Sequence, residues 1–103
     1  PICRHIDLPQ VMVDVSHANS SKQHQRQIDV SADVAAQVAA GDARITGLMI
    51  ESHLQEGRQD IVAGQPLLPG VSVTDACISM AQTVPVLQQL AAAVRARRAL
   101  AAA

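Results

Sequence analysis

An α/β fold organised on a parallel sheet is what this sequence predicts, and three observations carry it. Short apolar runs rich in β-branched residues alternate with amphipathic helical stretches, in the order strand, helix, strand, long loop, strand, helix. The strands read as buried on both faces, the pattern of parallel sheets covered by crossover helices. Finally, each apolar run stops at a side chain with ligand chemistry, at His17, Glu51 and Asp75. In a parallel sheet those ends share one edge.

The elements follow in order. After a polar lead-in over residues 1–9, "VMVDV" alternates with period two and suits a strand, which ends at His17. Ser20 and Gln23 stand at capping-box spacing, so a helix is expected to start there. Ile28, Ala32, Ala35 and Val38 then recur at helical spacing, Val34 widens the stripe, and Gly41 supplies a residue able to take positive φ at the C-terminus. "RITGLMIES" is the second strand, apolar through Leu48, Met49 and Ile50 and stopping at Glu51. The glycines and prolines of "HLQEGRQDIVAGQPLLPG" make it a long loop. A third strand is expected at Val71 to Thr74 with Asp75 at its exit. The last helix is expected to take Thr83 as N-cap and Pro85 in its first turn, with a stripe of Leu87, Leu90, Ala91 and Val94. Arg95, Arg97 and Arg98 suit the negative end of that helix.

Composition sets the bounds. The 103 residues are within the range of one domain, but with 49% apolar residues and no aromatic side chain the core must be built from small volumes. A net charge of −1, with the basic residues gathered mainly in "VRARRAL", argues against nucleic acid or a membrane surface as partner. No apolar run is long enough for a membrane span and no secretory leader is recognisable. Cys3 and Cys77 lack CxxC spacing, so reduced thiols in a cytoplasmic protein are expected.

Taken singly, His17 is a loop histidine, Glu51 solvates a strand end and Asp75 caps a turn. Taken together, an imidazole and two carboxylates at one sheet edge form a ligand set for a divalent cation such as Mn, Fe, Co or Zn. Both readings stand on the residues alone, because no short metal motif is present.

The wording of the strand ends adds to this. "SHANSSKQ", "ESHLQEG" and "VTDACI", in this order, together with the "QIDVSADVAAQVAAG" and "LQQLAAAVRARR" helices, resemble the bacterial 3-deoxy-D-arabino-heptulosonate 7-phosphate (DAHP) synthases regulated by phenylalanine, tyrosine or tryptophan. The likeness runs from Gln10 to Arg98, leaving 99–103 as a tail. It implies the C-terminal part of a (β/α)8 barrel, about three strand units of one domain. It also implies condensation of phosphoenolpyruvate with erythrose 4-phosphate, the first step of the shikimate pathway, in a homo-oligomeric enzyme. The family's divalent metal is held by a Cys, a His, a Glu and an Asp. His17, Glu51 and Asp75 match the last three, and the resemblance implies that they act in catalysis through the metal. Ser16, Asn19 and Lys22 are expected close to substrate, although first-turn residues here also serve simply as caps or solvated charges.

Departures are equally plain. The Cys ligand belongs to an earlier strand that this chain lacks, and neither Cys3 nor Cys77 replaces it by motif. The Arg and Lys residues that grip the substrate phosphates are missing too, and "ISMAQTVP" stands where an aromatic-containing segment is expected. A fragment without synthase activity of its own follows. A small α/β binding or assembly module, or the related octulosonate 8-phosphate synthase, are the alternatives.

Overall fold

The computed structural model describes residues 10–17 and 23–102. Within them the chain forms β1 (Val11–Asp14), α1 (Arg26–Ala39), β2 (Ile45–Met49) and α2 (Met80–Ala102). The two strands pair in parallel, with Val13 opposite Leu48 and Asp14 opposite Met49. Parallel neighbours cannot be joined by a hairpin, and α1 is the crossover between them. The ladder runs one residue past β1, where the Val15 N–H donates to the Met49 carbonyl at 3.1 Å.

The start of α1 differs from the sequence expectation. Ser20 lies outside the described residues, and the helix begins at Arg26, with Gln25 before it making no side-chain cap bond. A tight turn leads in: the Arg26, Gln27 and Ile28 N–H groups reach back three residues to Gln23, His24 and Gln25. The end is as expected. Gly41 takes φ of 108°, and the Gly41 and Asp42 N–H groups donate to the Val38 and Gln37 carbonyls. That is the Schellman arrangement, in which a left-handed residue lets two orphan carbonyls be satisfied.

Two further expectations are corrected. Val71 to Thr74 is not a strand; among the described residues the segment between β2 and α2 makes isolated bridges, Arg58 to Ser72, Gly57 to Cys77 and Ser52 to Ile78. Beyond the end of β2 it is the backbone of Ile78, a fully buried residue, that joins, with its N–H on the Glu51 carbonyl at 3.0 Å. The loop itself is laced from within: the Gln59 amide donates to the Leu68 and Val71 carbonyls and accepts from the Leu68 N–H.

The N-cap of α2 is Ser79, not Thr83. Ser79 Oγ accepts from the Gln82 N–H at 3.1 Å and the Gln82 side chain accepts from the Ser79 N–H at 2.8 Å, a reciprocal capping box. Pro85 is consequently inside the helix rather than in its first turn. The buried face is also displaced. Val86 and Ala93 are buried, and Leu90 and Val94 pack on the core, whereas Leu87 is 53% exposed and Ala91 is exposed. In this rotation Arg97 Nη1 donates to the Asp42 and Ile45 carbonyls, both at 2.8 Å. Because α2 continues to Ala102, the arginines precede its last turn rather than occupy it.

The core is small: Val15, Val34, Ala35, Val38, Ile45 and Ala93, with Val13, Leu48 and Ile50 against it. It lies between the helices and one face of the sheet. Met12, 69% exposed, and Met49, 38% exposed, are uncovered. Burial on both sheet faces, expected from the sequence, is therefore not realised among the described residues. Its radius of gyration is 16.9 Å, against about 13 Å for a compact chain of this length.

Candidate metal centre

The site begins in the turn that ends β1. Asp14 Oδ1 accepts from the Ser16 N–H at 2.8 Å, from Ser16 Oγ at 2.5 Å and from the His17 N–H at 3.3 Å, a turn stabilised by an acidic side chain on its own backbone. Its second oxygen takes His17 Nδ1 at 2.7 Å. With Nδ1 turned to this carboxylate, Nε2 points the other way, 3.1 Å from Asp75 Oδ2 and 3.5 Å from Glu51 Oε1. A carboxylate behind an imidazole fixes the tautomer and aims the free nitrogen, as it does behind metal-bound histidines.

The electrostatics agree with this geometry. The Ser16 hydroxyl first, and His17 second, hold the Asp14 carboxyl well below the usual carboxylate range. The Asp14 hydrogen bond, followed by that of Asp75, raises the imidazole above its ordinary value, with desolvation opposing.

Glu51 and Asp75 arrive from other segments. Beyond β2, the Glu51 peptide is clamped by the Gln27 side chain, which accepts from its N–H at 2.8 Å and donates to its carbonyl at 3.1 Å. Asp75 follows a bend in which the Thr74 N–H donates to Ser72 Oγ and Arg58 Nε donates to the Thr74 carbonyl at 2.8 Å. Arg58 is itself held by Asp60, Nη2 to Oδ1 at 2.8 Å.

One ligand atom from each of His17, Glu51 and Asp75 lies within 4.8 Å of the others. Atoms bound about 2.1 Å from one cation stand roughly 3–4.3 Å apart, so the three groups need only small adjustments to share an ion. Two carboxylates would balance a divalent charge, and a neutral Nε2 would add a lone pair. A pocket of about 190 Å³ opens here, lined by Ser16, His17, Glu51, Arg58, Asp75 and Ala76. A larger hollow of about 500 Å³ between the helix ends is lined mainly by alanines and leucine with two arginines, and holds no such ligand set.

The remaining sequence candidates fall out variously. Ser16 lines the pocket, but is buried with its hydroxyl on Asp14. Asn19 and Lys22, like Cys3, lie outside the described residues. Cys77 is a buried free thiol whose Sγ donates to the Asp75 carbonyl at 3.4 Å, and burial pushes it up. Sequence reasoning missed Asp14, Gln27 and Arg58. The signal for Gln27 was present: a polar residue one turn before Ser31, Val34 and Ala35 on the buried stripe of α1.

Comparison with known proteins gives a consistent picture. The model of the DAHP synthetase I family matches residues 2–88. The Phe-sensitive phospho-2-dehydro-3-deoxyheptonate aldolase of Escherichia coli K12 is 57% identical over 89 residues, 86% of this chain and 25% of that protein. A phospho-2-dehydro-3-deoxyheptonate aldolase of Haemophilus influenzae is 52% identical over 101 residues, 94% of this chain and 28% of its own. Among solved structures, the phospho-2-dehydro-3-deoxyheptonate aldolase of Francisella tularensis SCHU S4 superposes with a TM-score of 0.81 at 48% identity, covering 85% of this chain and 25% of that one. The chain thus spans about a quarter of the length of the relatives it matches.

Proposed function

The chain belongs to the DAHP synthetase I family, and from that premise we propose that it carries three of the metal ligands of a DAHP synthase and contributes a C-terminal part of its barrel. The observation that carries the reading is the convergence of His17, Glu51 and Asp75 to within 4.8 Å from three separate segments. The uncovered face bearing Met12 and Met49 supports the barrel part, since those side chains need a cover that the described residues do not supply.

The reaction joins C3 of phosphoenolpyruvate to the aldehyde carbon of erythrose 4-phosphate, adds water at C2 and releases phosphate. A divalent cation, when bound, supplies Lewis acidity toward the aldehyde oxygen. His17 offers a lone pair from Nε2, held in that orientation by Asp14. Glu51 and Asp75 bring the anionic charge that balances the cation, and the Gln27 and Arg58 contacts hold their peptides in place. Ser16, which lines the pocket beside His17, is the residue of the expected substrate-side set that lies among the described residues.

Positioning two substrates accounts for much of such a rate enhancement, and this chain holds neither the Cys ligand nor the phosphate grips. It is therefore inactive alone. Joining it to the remaining part of the Escherichia coli relative tests the proposal, read as phosphate release that needs both substrates and a divalent cation. The joined protein is expected to be active, with His17→Ala or Glu51→Gln removing activity. A joined, folded protein whose activity is indifferent to both substitutions overturns the proposal, as does synthase activity of the 103-residue chain by itself.

A further inference from the structure

We propose that Gln27 is the positioning residue of the metal centre, acting through the peptide of Glu51; the inference rests on the metal reading above. Gln27 is fully buried on the stripe that packs α1 into the core. A buried amide is costly unless both of its ends are bonded, so its partners report what it is for. Both ends go to one residue: Oε1 accepts from the Glu51 N–H at 2.8 Å, and Nε2 donates to the Glu51 carbonyl at 3.1 Å.

The place of that clamp matters. β2 ends at Met49, and the last ladder bond from the strand beside it is the Val15 N–H on the Met49 carbonyl. Glu51 therefore lies where the ladder has run out, and its N–H and carbonyl need partners from elsewhere. The Gln27 amide presents an acceptor and a donor side by side, as a neighbouring strand would. Ile78 adds its N–H to the same carbonyl at 3.0 Å. The Glu51 backbone is thereby held from two directions while its carboxylate reaches to 3.5 Å from His17 Nε2. A core glutamine needing only satisfaction would be served by any carbonyl; this one grips both polar groups of a candidate ligand.

The test uses the 103-residue chain titrated with Co2+, read by visible d–d absorption. Gln27→Met keeps the shape and removes both hydrogen bonds. It is expected to weaken Co2+ binding about 10- to 100-fold, the range for groups that orient a ligand, and to alter the absorption band. In a Glu51→Gln background, already weakened, the same substitution is expected to change affinity less than about twofold, because it acts through the carboxylate that is gone. Equal weakening in both backgrounds, or none in either, overturns the inference. A wild-type chain that takes up no Co2+, or binds it equally after His17→Ala, overturns the metal reading itself and the inference with it. Amide exchange separates the two failures and needs no variant. The Glu51 N–H is expected to exchange as slowly as the ladder N–H of Val15; exchange at the rate of an unstructured peptide overturns the clamp and leaves the metal reading standing.

Discussion

Replacing Asp14 by Asn removes one charge at the end of β1 while keeping the shape of the side chain. Asp14 Oδ1 accepts from the Ser16 N–H, the Ser16 hydroxyl and the His17 N–H, and an amide oxygen in its place accepts all of these, so the turn survives. The other oxygen faces His17 Nδ1 at 2.7 Å, and there the amide puts a donor. Two N–H groups cannot face one another, so the imidazole proton moves to Nε2. That nitrogen is the one 3.1 Å from Asp75 and 3.5 Å from Glu51, and once protonated it has no lone pair for a cation. The expected loss is at the upper end of the roughly 10- to 100-fold range for such partners, because tautomer and orientation fail together. The largest cause that raises the His17 pKa also goes, so the imidazole midpoint falls. Proton NMR of the cation-free chain reads the midpoint. Co2+ titration well above it reads affinity without proton competition. An Asp14→Asn chain that binds Co2+ within about twofold of wild type, with an unmoved His17 midpoint, refutes the reasoning.

Ser79→Ala removes one half of the capping box that starts α2, and is expected to cost about 1 kcal/mol in urea unfolding; no change in the midpoint would mean that the cap is dispensable. Ile78, fully buried beside the Glu51 carbonyl, is expected to cost about 0.5–1.5 kcal/mol when shortened to Val and 2–5 when cut to Ala, and equal costs for the two would contradict its burial. In the cation-free chain, His17 and Asp14 each contribute to the pH dependence of stability. His17 is raised above 6.5, so its contribution is full below pH 6.5 and fades as pH climbs through the folded-state value; Asp14 is lowered from 3.8, so its contribution is present above pH 3.8 and is lost as pH falls through its folded value. The urea midpoint is therefore expected to peak between those limits, and to lose its high-pH decline in His17→Gln. Met12, 69% exposed beside a strand with an unpaired edge among the described residues, is expected to promote self-association; sedimentation should show Met12→Lys more monomeric than wild type, and a wild-type monomer at high concentration would contradict it.

Some of this was legible from residue types and spacing alone. Period-two and consecutive apolar residues place β1 and β2, and Gly41 ends α1 because only a residue free to take positive φ closes that helix so cheaply. His17, Glu51 and Asp75 could be named because each follows an apolar run. The N-terminus of α2 was misplaced for an identifiable reason. Two serine or threonine candidates precede the apolar stripe, and Ser79 won because Gln82 stands three residues on and returns the hydrogen bond, while Thr83 turns its hydroxyl back to the Ser79 carbonyl. The expected stripe held at Leu90 and Val94 and missed at Leu87 and Ala91, because helical spacing alone leaves the rotation of the face open; Arg97 reaches the Asp42 and Ile45 carbonyls in the rotation observed.

By itself the sequence determined the family, the parallel order of β1, α1 and β2, and the chemical identity of the three candidate ligands, since all of these depend on short stretches of residues read in order. Only the tertiary structure decided that residues 71–74 make a single bridge at Ser72 rather than a strand, that one sheet face stays open among the described residues, and that Asp14 and Gln27 are what aim His17 and hold Glu51. The reason is physical. A strand exists only where another backbone lies alongside, and a buried amide acquires its meaning from the distant peptide it meets. Neither partner is written near the residue that needs it.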